Sequence, residues 1–233
     1  MHPVIQEVMD LIAEIERKIE ELRTGINDML ESIPGFLDWI FDRVRDGWNW
    51  LVEKLDEFWG WVNDVVAMAG DPWGLSSAAD TWNTGVGEPA MTQSREVDAG
   101  DLLVDDNWTG DAADQYKQKL PEQKSAMEVI RTEYAAKIAT ALDAVKSGII
   151  KFWTSMAVAF GALVAGIIGA IASSATVFGL PAAPFIAGGA VLIAIIAVTV
   201  GVKLLESDCA TANTQLTNAQ SAGLARWPAF ALA

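Results

Sequence analysis

The chain has one cysteine, Cys209, and one histidine, His2. A single thiol forms no intramolecular disulfide. One imidazole and one thiol, far apart in sequence, supply neither a His-rich metal site nor a Ser/His or Cys/His relay. A basic surplus is missing as well: 31 acids face 16 Lys and Arg, a formal charge of −15, which argues against binding nucleic acid through its phosphates. The start "MHPVIQEVMDLIAEIERKIEEL" mixes acids with aliphatics and lacks the basic-then-apolar order of a secretory leader, so no cleaved signal peptide is expected. The most pronounced absence is in the last third: residues 152–202 hold no ionisable side chain.

What is present is unevenly spread. Residues 1–68 carry 15 acids and 6 bases, residues 69–151 carry 14 and 8, and residues 152–233 carry 2 and 2. The front is acidic and solvated, the back nearly neutral and apolar. Carboxylates can pair as acid and base, but these fall mostly on polar helix faces. We therefore expect no enzyme, no cofactor, no metal and no small-molecule substrate. With 233 residues the chain can bury one large core or form two modest domains.

Residues 1–69 read as two matched helices. Ile5, Val8, Ile12, Ile15, Ile19, Leu22, Ile26, Met29 and Ile33 follow at intervals of three and four, a heptad seam with charges on the other faces. Pro34-Gly35 stops the helix. A second seam follows at Leu37, Phe41, Val44, Trp48, Leu51, Leu55, Phe58, Val62 and Val65, so the pair predicts an antiparallel αα-hairpin. Trp39, Trp50 and Trp61 recur every 11 residues beside that seam. They predict either a wide face packed on a third helix or an indole stripe for a partner or membrane interface.

After Gly70 the pattern changes. "GDPWGLSSAADTW" (70–82) has an Asp-Pro helix start, "GVGEP" (85–89) interrupts it, and an acidic loop leads to Trp108-Thr109-Gly110. A helix resumes at Asp111, with Asp111 and Asp114 in the first turn, where acids favour the dipole. Gly110 permits a close reversal, Ala112 and Ala113 keep the first turn thin, and Trp108 is expected across the cleft between two antiparallel helices, with Tyr116 near it.

The extended motif "WTGDAADQY", after the "GDPWGLSSAADTW" helix, resembles the WXG family of small helical proteins exported by actinobacterial type VII (ESX) secretion systems. The resemblance covers residues 70–150. It implies a helix–turn–helix with Trp108 and Gly110 at the turn, a helical protein partner, and export without a cleaved signal. Two features depart from the family. Its Tyr with an acid four residues later is absent, since Leu120 follows Tyr116 and Ile138 follows Tyr134 at that spacing, so export would need a partner carrying the signal. The helix before the turn is interrupted at Gly85-Val86-Gly87, and residues 1–69 are free to dock where a family partner would sit.

Residues 152–178 and 185–202 are two apolar stretches, separated by "GLPAAP" with Gly179, Pro181 and Pro184 as the break. As helices they rise about 40 and about 27 Å, so against the roughly 30 Å of a bilayer core the first spans easily and the second just reaches. Ala157, Gly161, Ala165 and Gly169 on the first, and Ala190, Ala194 and Val198 on the second, recur at four-residue steps and predict close helix contact in lipid. The alternative is a wholly buried core hairpin. Lys146, Lys151 and Lys203 flank the tract at one end only. Beyond it, residues 203–233 start polar and extend the second helix for a few turns, and Trp227-Pro228 ends any helix; Arg226-Trp227 reads as a loosely ordered end, with a binding element as the alternative.

The expectation is an all-α, elongated helical bundle: an acidic hairpin (1–69), a WXG-like hairpin (70–151), a hydrophobic, transmembrane-type hairpin (152–202) and a polar end (203–233). The function expected is a type VII-associated, non-enzymatic protein that engages membrane, as a secreted effector or translocation component, with pore formation as one form of that role. Its partners would be a membrane and a helical protein or a second copy. The alternatives are a soluble partner-binding module with its apolar hairpin sealed in a complex, and a resident protein of the cell membrane.

Overall fold

The heptad seam of the first helix is its buried stripe. In the computed structural model, which describes residues 3–34, 37–67, 70–98 and 107–224, α1 (Pro3–Glu31) buries Val8, Ile15, Leu22 and Ile26. Its opposite side carries i,i+3 ion pairs such as Arg17–Glu14 and Arg23–Glu20. The helix tightens as it ends: the Ser32 and Ile33 amides donate to the carbonyls of Met29 and Leu30, and Pro34 has no N–H with which to continue. Gly35, the other half of the expected break, lies outside the described residues.

Helix α2 (Asp38–Ala67) buries Val44, Leu51, Leu55, Phe58, Val62 and Val65 as expected. Its first turn differs, because Ile40 is fully buried and Phe41 exposed. Phe41 instead lines a cleft of about 390 Å³ with Trp48, Ile26 and Leu30, so α1 takes up the seam from Val44 onward and leaves the ring at its rim.

The chain divides into two compact units. The first joins Met1–Gly70 to Ile149–Leu205 and the second joins Asp71–Gly148 to Glu206–Ala233. The acidic hairpin is thus grouped with the apolar hairpin.

In the second unit, α3 (Pro72–Trp82) starts where Asp71 Oδ1 accepts the Trp73 N–H at 3.0 Å, with Pro72 in the first turn. The expected interruption at Gly85-Val86-Gly87 is not a break. A π-helical turn, Asn83–Gly87, carries the helix straight into α4 (Glu88–Glu96). Pro89 has no N–H and its ring would crowd the carbonyl four residues back. The wider turn displaces that carbonyl, and Gly85 adds no side chain there. A second π-turn, Ile130–Ala135, joins α5 (Asp111–Val129) to α6 (Ala136–Ser174). The two widened turns pack against each other, and α4 packs on α5, which makes the expected antiparallel hairpin. A methyl at Gly87 would stand 3.0 Å from Ala135 Cβ. The acidic loop 99–106 lies outside the described residues.

Helix runs without a non-helical residue from Asp111 to Ser174, its residues from Ile149 onward belonging to the first unit. A turn and a 3₁₀ segment, Leu180–Ala182, lead to α7 (Ala183–Leu224). The first apolar helix therefore ends at Ser174, four residues earlier than residues 152–178 suggest. Residues Arg226, Trp227 and Pro228 lie outside the described residues. Every regular element among the described residues is helical, and the fold is all-α.

Candidate membrane-facing surface

The first unit has a definite register. Gly70 meets Ile149 and Phe58 meets Phe160, so α2 runs antiparallel to the apolar half of α6. Gly47 meets Phe185 and Trp50 meets Gly188, so α2 runs parallel to the start of α7. Gly25 of α1 approaches Ser174. The inward side of the apolar hairpin is built from Met156, Phe160, Leu163 and Ile167 on α6 and Ala187, Val191 and Val198 on α7, all buried.

The side away from α1 and α2 is apolar too. Val158, Ala162, Ala165, Ile168 and Ala172 recur at three- and four-residue steps on α6 and are exposed. On α7, Ile186, Ile193, Ile196, Val200 and Leu204, at steps of seven, three, four and four, are also exposed, with Ile193 65% and Ile196 64% exposed. Between the two helices runs an open groove of about 870 Å³ whose walls include Val158, Ala162, Gly166, Ile186, Ile193 and Ala197. Only 39% and 33% of the two most apolar stretches are buried. A core helix of a water-soluble bundle is buried on most of its circumference. Both helices are long and apolar enough to cross a membrane: residues 152–174 and 183–202 rise about 35 and 30 Å.

The hydroxyl groups on this hairpin are satisfied by its own carbonyls. Thr154 and Ser155 donate to the carbonyls of Ile150 and Lys151, Thr199 to Ile195, and Ser174 to Ile171, at 2.8 to 2.9 Å. That matters in hydrocarbon, where no water can take an orphaned donor. The tip closes on itself likewise. Ser173 Oγ donates to the Gly179 carbonyl, the Gly179 amide donates to Thr176 Oγ1, and the Leu180 amide donates to the Thr176 carbonyl. Phe178 stands 88% exposed on this uncharged tip. The one buried side-chain donor without a partner among the described residues is Trp153 Nε1.

The break residues sit at this tip: Pro181 and Pro184 are buried, and a methyl at Gly179 would overlap the Ser173 carbonyl. On the second apolar helix the stripe of small residues reaches the contact at Ala190, with Ala194 and Val198 buried, whereas most of the stripe on the first helix lies away from it. Gly161 and Gly169 face open space, Ala165 is exposed, and only Ala157 is buried. The close approach is at Gly166, where a methyl would overlap Ala190 Cβ. A four-residue step drifts about 40° per repeat on a helix of 3.6 residues per turn, so the stripe winds from the inner face to the outer one.

The Trp series divides as well. Trp50 stacks on Phe185 with centroids 5.7 Å apart, Trp61 is half-buried and Trp39 exposed. Trp50 thus packs on a third helix. Gly47 and Gly188 make room for that packing. Sequence reasoning passed over both; the Gly188-Gly189 pair in an aliphatic helix was the available signal.

At the WXG-like turn, Gly110 has φ +101° and is the single described glycine in the left-handed region. Nothing stands within 4 Å of where its Cβ would be. The requirement for glycine is conformational and not one of space. Ala113 is buried and Ala112 exposed. Trp108 packs on Tyr116 with centroids 5.6 Å apart and stays 44% exposed. It leans on the first turns of its own helix and is not sunk in a cleft.

No group of three or more His, Cys, Asp or Glu able to hold a metal occurs among the described residues. The resolved pKa displacements belong to surface pairs: the Arg17 hydrogen bond holds the Glu14 carboxyl below its usual range, and Glu14 raises Arg17 in turn. No protein-family model, curated protein or solved structure matches the chain.

Proposed function

We propose that this chain is a non-enzymatic protein that engages a lipid bilayer through residues 152–202. The observation that carries the reading is the continuous exposed apolar face on α6 and α7, on a hairpin whose hydroxyls and tip amides are already hydrogen-bonded. Bare apolar surface of this extent costs free energy in water and is stabilised by a lipid surface. Lys151 and Lys203 mark the water-side end, and the tip with Phe178 enters first.

We further propose that the protein works with a type VII secretion system, as a secreted effector or translocation component. Support comes from the resemblance of residues 70–150 and from Gly110, whose backbone only glycine adopts without strain at the Trp-x-Gly turn. Export would proceed with a partner that carries the missing acidic signal.

Flotation with phosphatidylcholine vesicles tests the membrane reading. The protein is expected to rise with the lipid, and Ile193→Lys with Ile196→Lys to remain at the bottom of the gradient. A parent protein that stays in the aqueous fraction with every vesicle composition sinks the proposal. Appearance in culture filtrate only when the secretion machinery is intact tests the second part.

A further inference from the structure

Residues 152–202 are apolar around their whole circumference, yet one side of the hairpin is covered. The cover is α1–α2, and its outward side is charged. Arg17 pairs with Glu14, Arg23 with Glu20, and Arg45 with Asp42. Because α2 meets α6 at Phe160 and α7 from Phe185 to Gly188, and Gly25 of α1 approaches Ser174, these charges stand beside the stretch that would have to cross the hydrocarbon. Each charged side chain at the centre of a bilayer costs about 2.5–3.5 kcal/mol even on the mildest scale. Carrying the cover into the bilayer would place several there at once. Covered and inserted states therefore exclude each other.

The inner face is suited to a second environment. Phe160, Leu163, Ile167, Val191 and Val198 are buried against protein here, and none carries a polar atom that hydrocarbon would strand. Three aromatic contacts fix the cover's register. Trp50 fits over Gly188, Phe185 fits over Gly47 with Arg43 5.0 Å from its ring centroid, and Phe58 meets Phe160 edge-on at 5.2 Å.

From this geometry we infer that α1–α2 is a releasable cover, and that the apolar hairpin crosses a bilayer only after α1–α2 has left it. The inference rests on the membrane role proposed above and concerns its regulation. The outer face allows adsorption with the cover in place; insertion requires its departure.

A disulfide tests this. A Cβ at Gly47 would stand 3.1 Å from Pro184 Cβ and 2.8 Å from the edge of the Phe185 ring; a turn of that ring and a small shift bring the pair to the roughly 3.5–4.5 Å of a bridge. Gly47→Cys with Pro184→Cys, on a Cys209→Ser background, locks the cover to the hairpin. Circular dichroism checks that both redox forms are folded. The oxidised form is expected to float with phosphatidylcholine vesicles but to be stripped by carbonate, and to release trapped dye no faster than vesicles alone. Reduction restores resistance to carbonate and dye release. Gly87→Cys with Ala135→Cys, a bridge inside the second unit, is expected to leave insertion unaffected. If Pro184→Cys disturbs the tip, Trp50→Ala serves as the second variant and should insert several-fold faster than the parent.

Oxidised protein that resists carbonate and releases dye as fast as the reduced form overturns the inference while leaving the membrane role standing. Failure of the parent chain to float removes both.

Discussion

Trp50 and Gly188 form a knob and a socket: a methyl on Gly188 would overlap the indole, so the ring sits directly against the α7 backbone. Three residues earlier on each helix the roles reverse, with Phe185 over Gly47. Two aromatic rings and two glycines thus bring an acidic helix and a charge-free helix close together. Overfilling the Gly188 socket should part them. Gly188→Val is expected to destabilise the first unit by about 1–3 kcal/mol through overpacking, measured by urea unfolding. An unchanged midpoint would show that α2 and α7 do not rest on this contact.

The two faces of the apolar hairpin should respond oppositely. Phe160 is fully buried against Phe58, and Phe160→Ala should cost about 3–5 kcal/mol of stability. Ile193 and Ile196 are exposed, so Ile193→Lys should alter stability by less than about 0.5 kcal/mol and still weaken vesicle binding. Melting and flotation of the same two proteins check this. Equal loss of stability in both would mean that the outer face is covered by protein in solution.

At the Trp-x-Gly turn, the backbone carries more of the load than the indole. Gly110→Ala places a side chain at φ +101°, where strain is expected to cost about 1–3 kcal/mol. Trp108→Ala removes a half-exposed ring pair with Tyr116 and should cost about 0.5–1.5 kcal/mol. Thermal melts of the two variants rank them. The reverse order would mean that Trp108 clamps the helices together after all.

The Glu14–Arg17 pair gives a signed dependence on pH. Arg17 hydrogen-bonds the Glu14 carboxylate at 2.5 Å and keeps its pKa below the ordinary 4.5. The folded state therefore binds the proton less readily than the unfolded chain. The pair's contribution is complete above 4.5 and disappears as pH falls through the depressed value. An NMR titration should place the Glu14 midpoint below 4.5 and show it rising in Arg17→Gln. No change on that substitution would locate the cause elsewhere.

Local patterns were legible wherever burial follows from period alone. The α1 stripe through Val8, Ile15 and Leu22 and most of the α2 stripe could be read directly, because a helix in water turns its apolar residues to whatever protein is available. Legibility failed where the neighbour decides. Ile40 displaces Phe41 because α1 is not placed to receive the ring at that level. Gly85 and Gly87 read as a break, yet a π-turn uses them to pass Pro89 without ending the helix.

By itself the sequence determined that the chain is helical, that its front is acidic, and that residues 152–202 are free of charge, since period and charge are properties of single segments. Which segments share a unit was decided in three dimensions. Gly47, Gly188 and Gly166 act only through atoms distant in the chain, and no local pattern encodes which ring or methyl will arrive there. The covered and bare sides of the apolar hairpin differ for the same reason: both are equally greasy in sequence, and only the placement of α2 separates them.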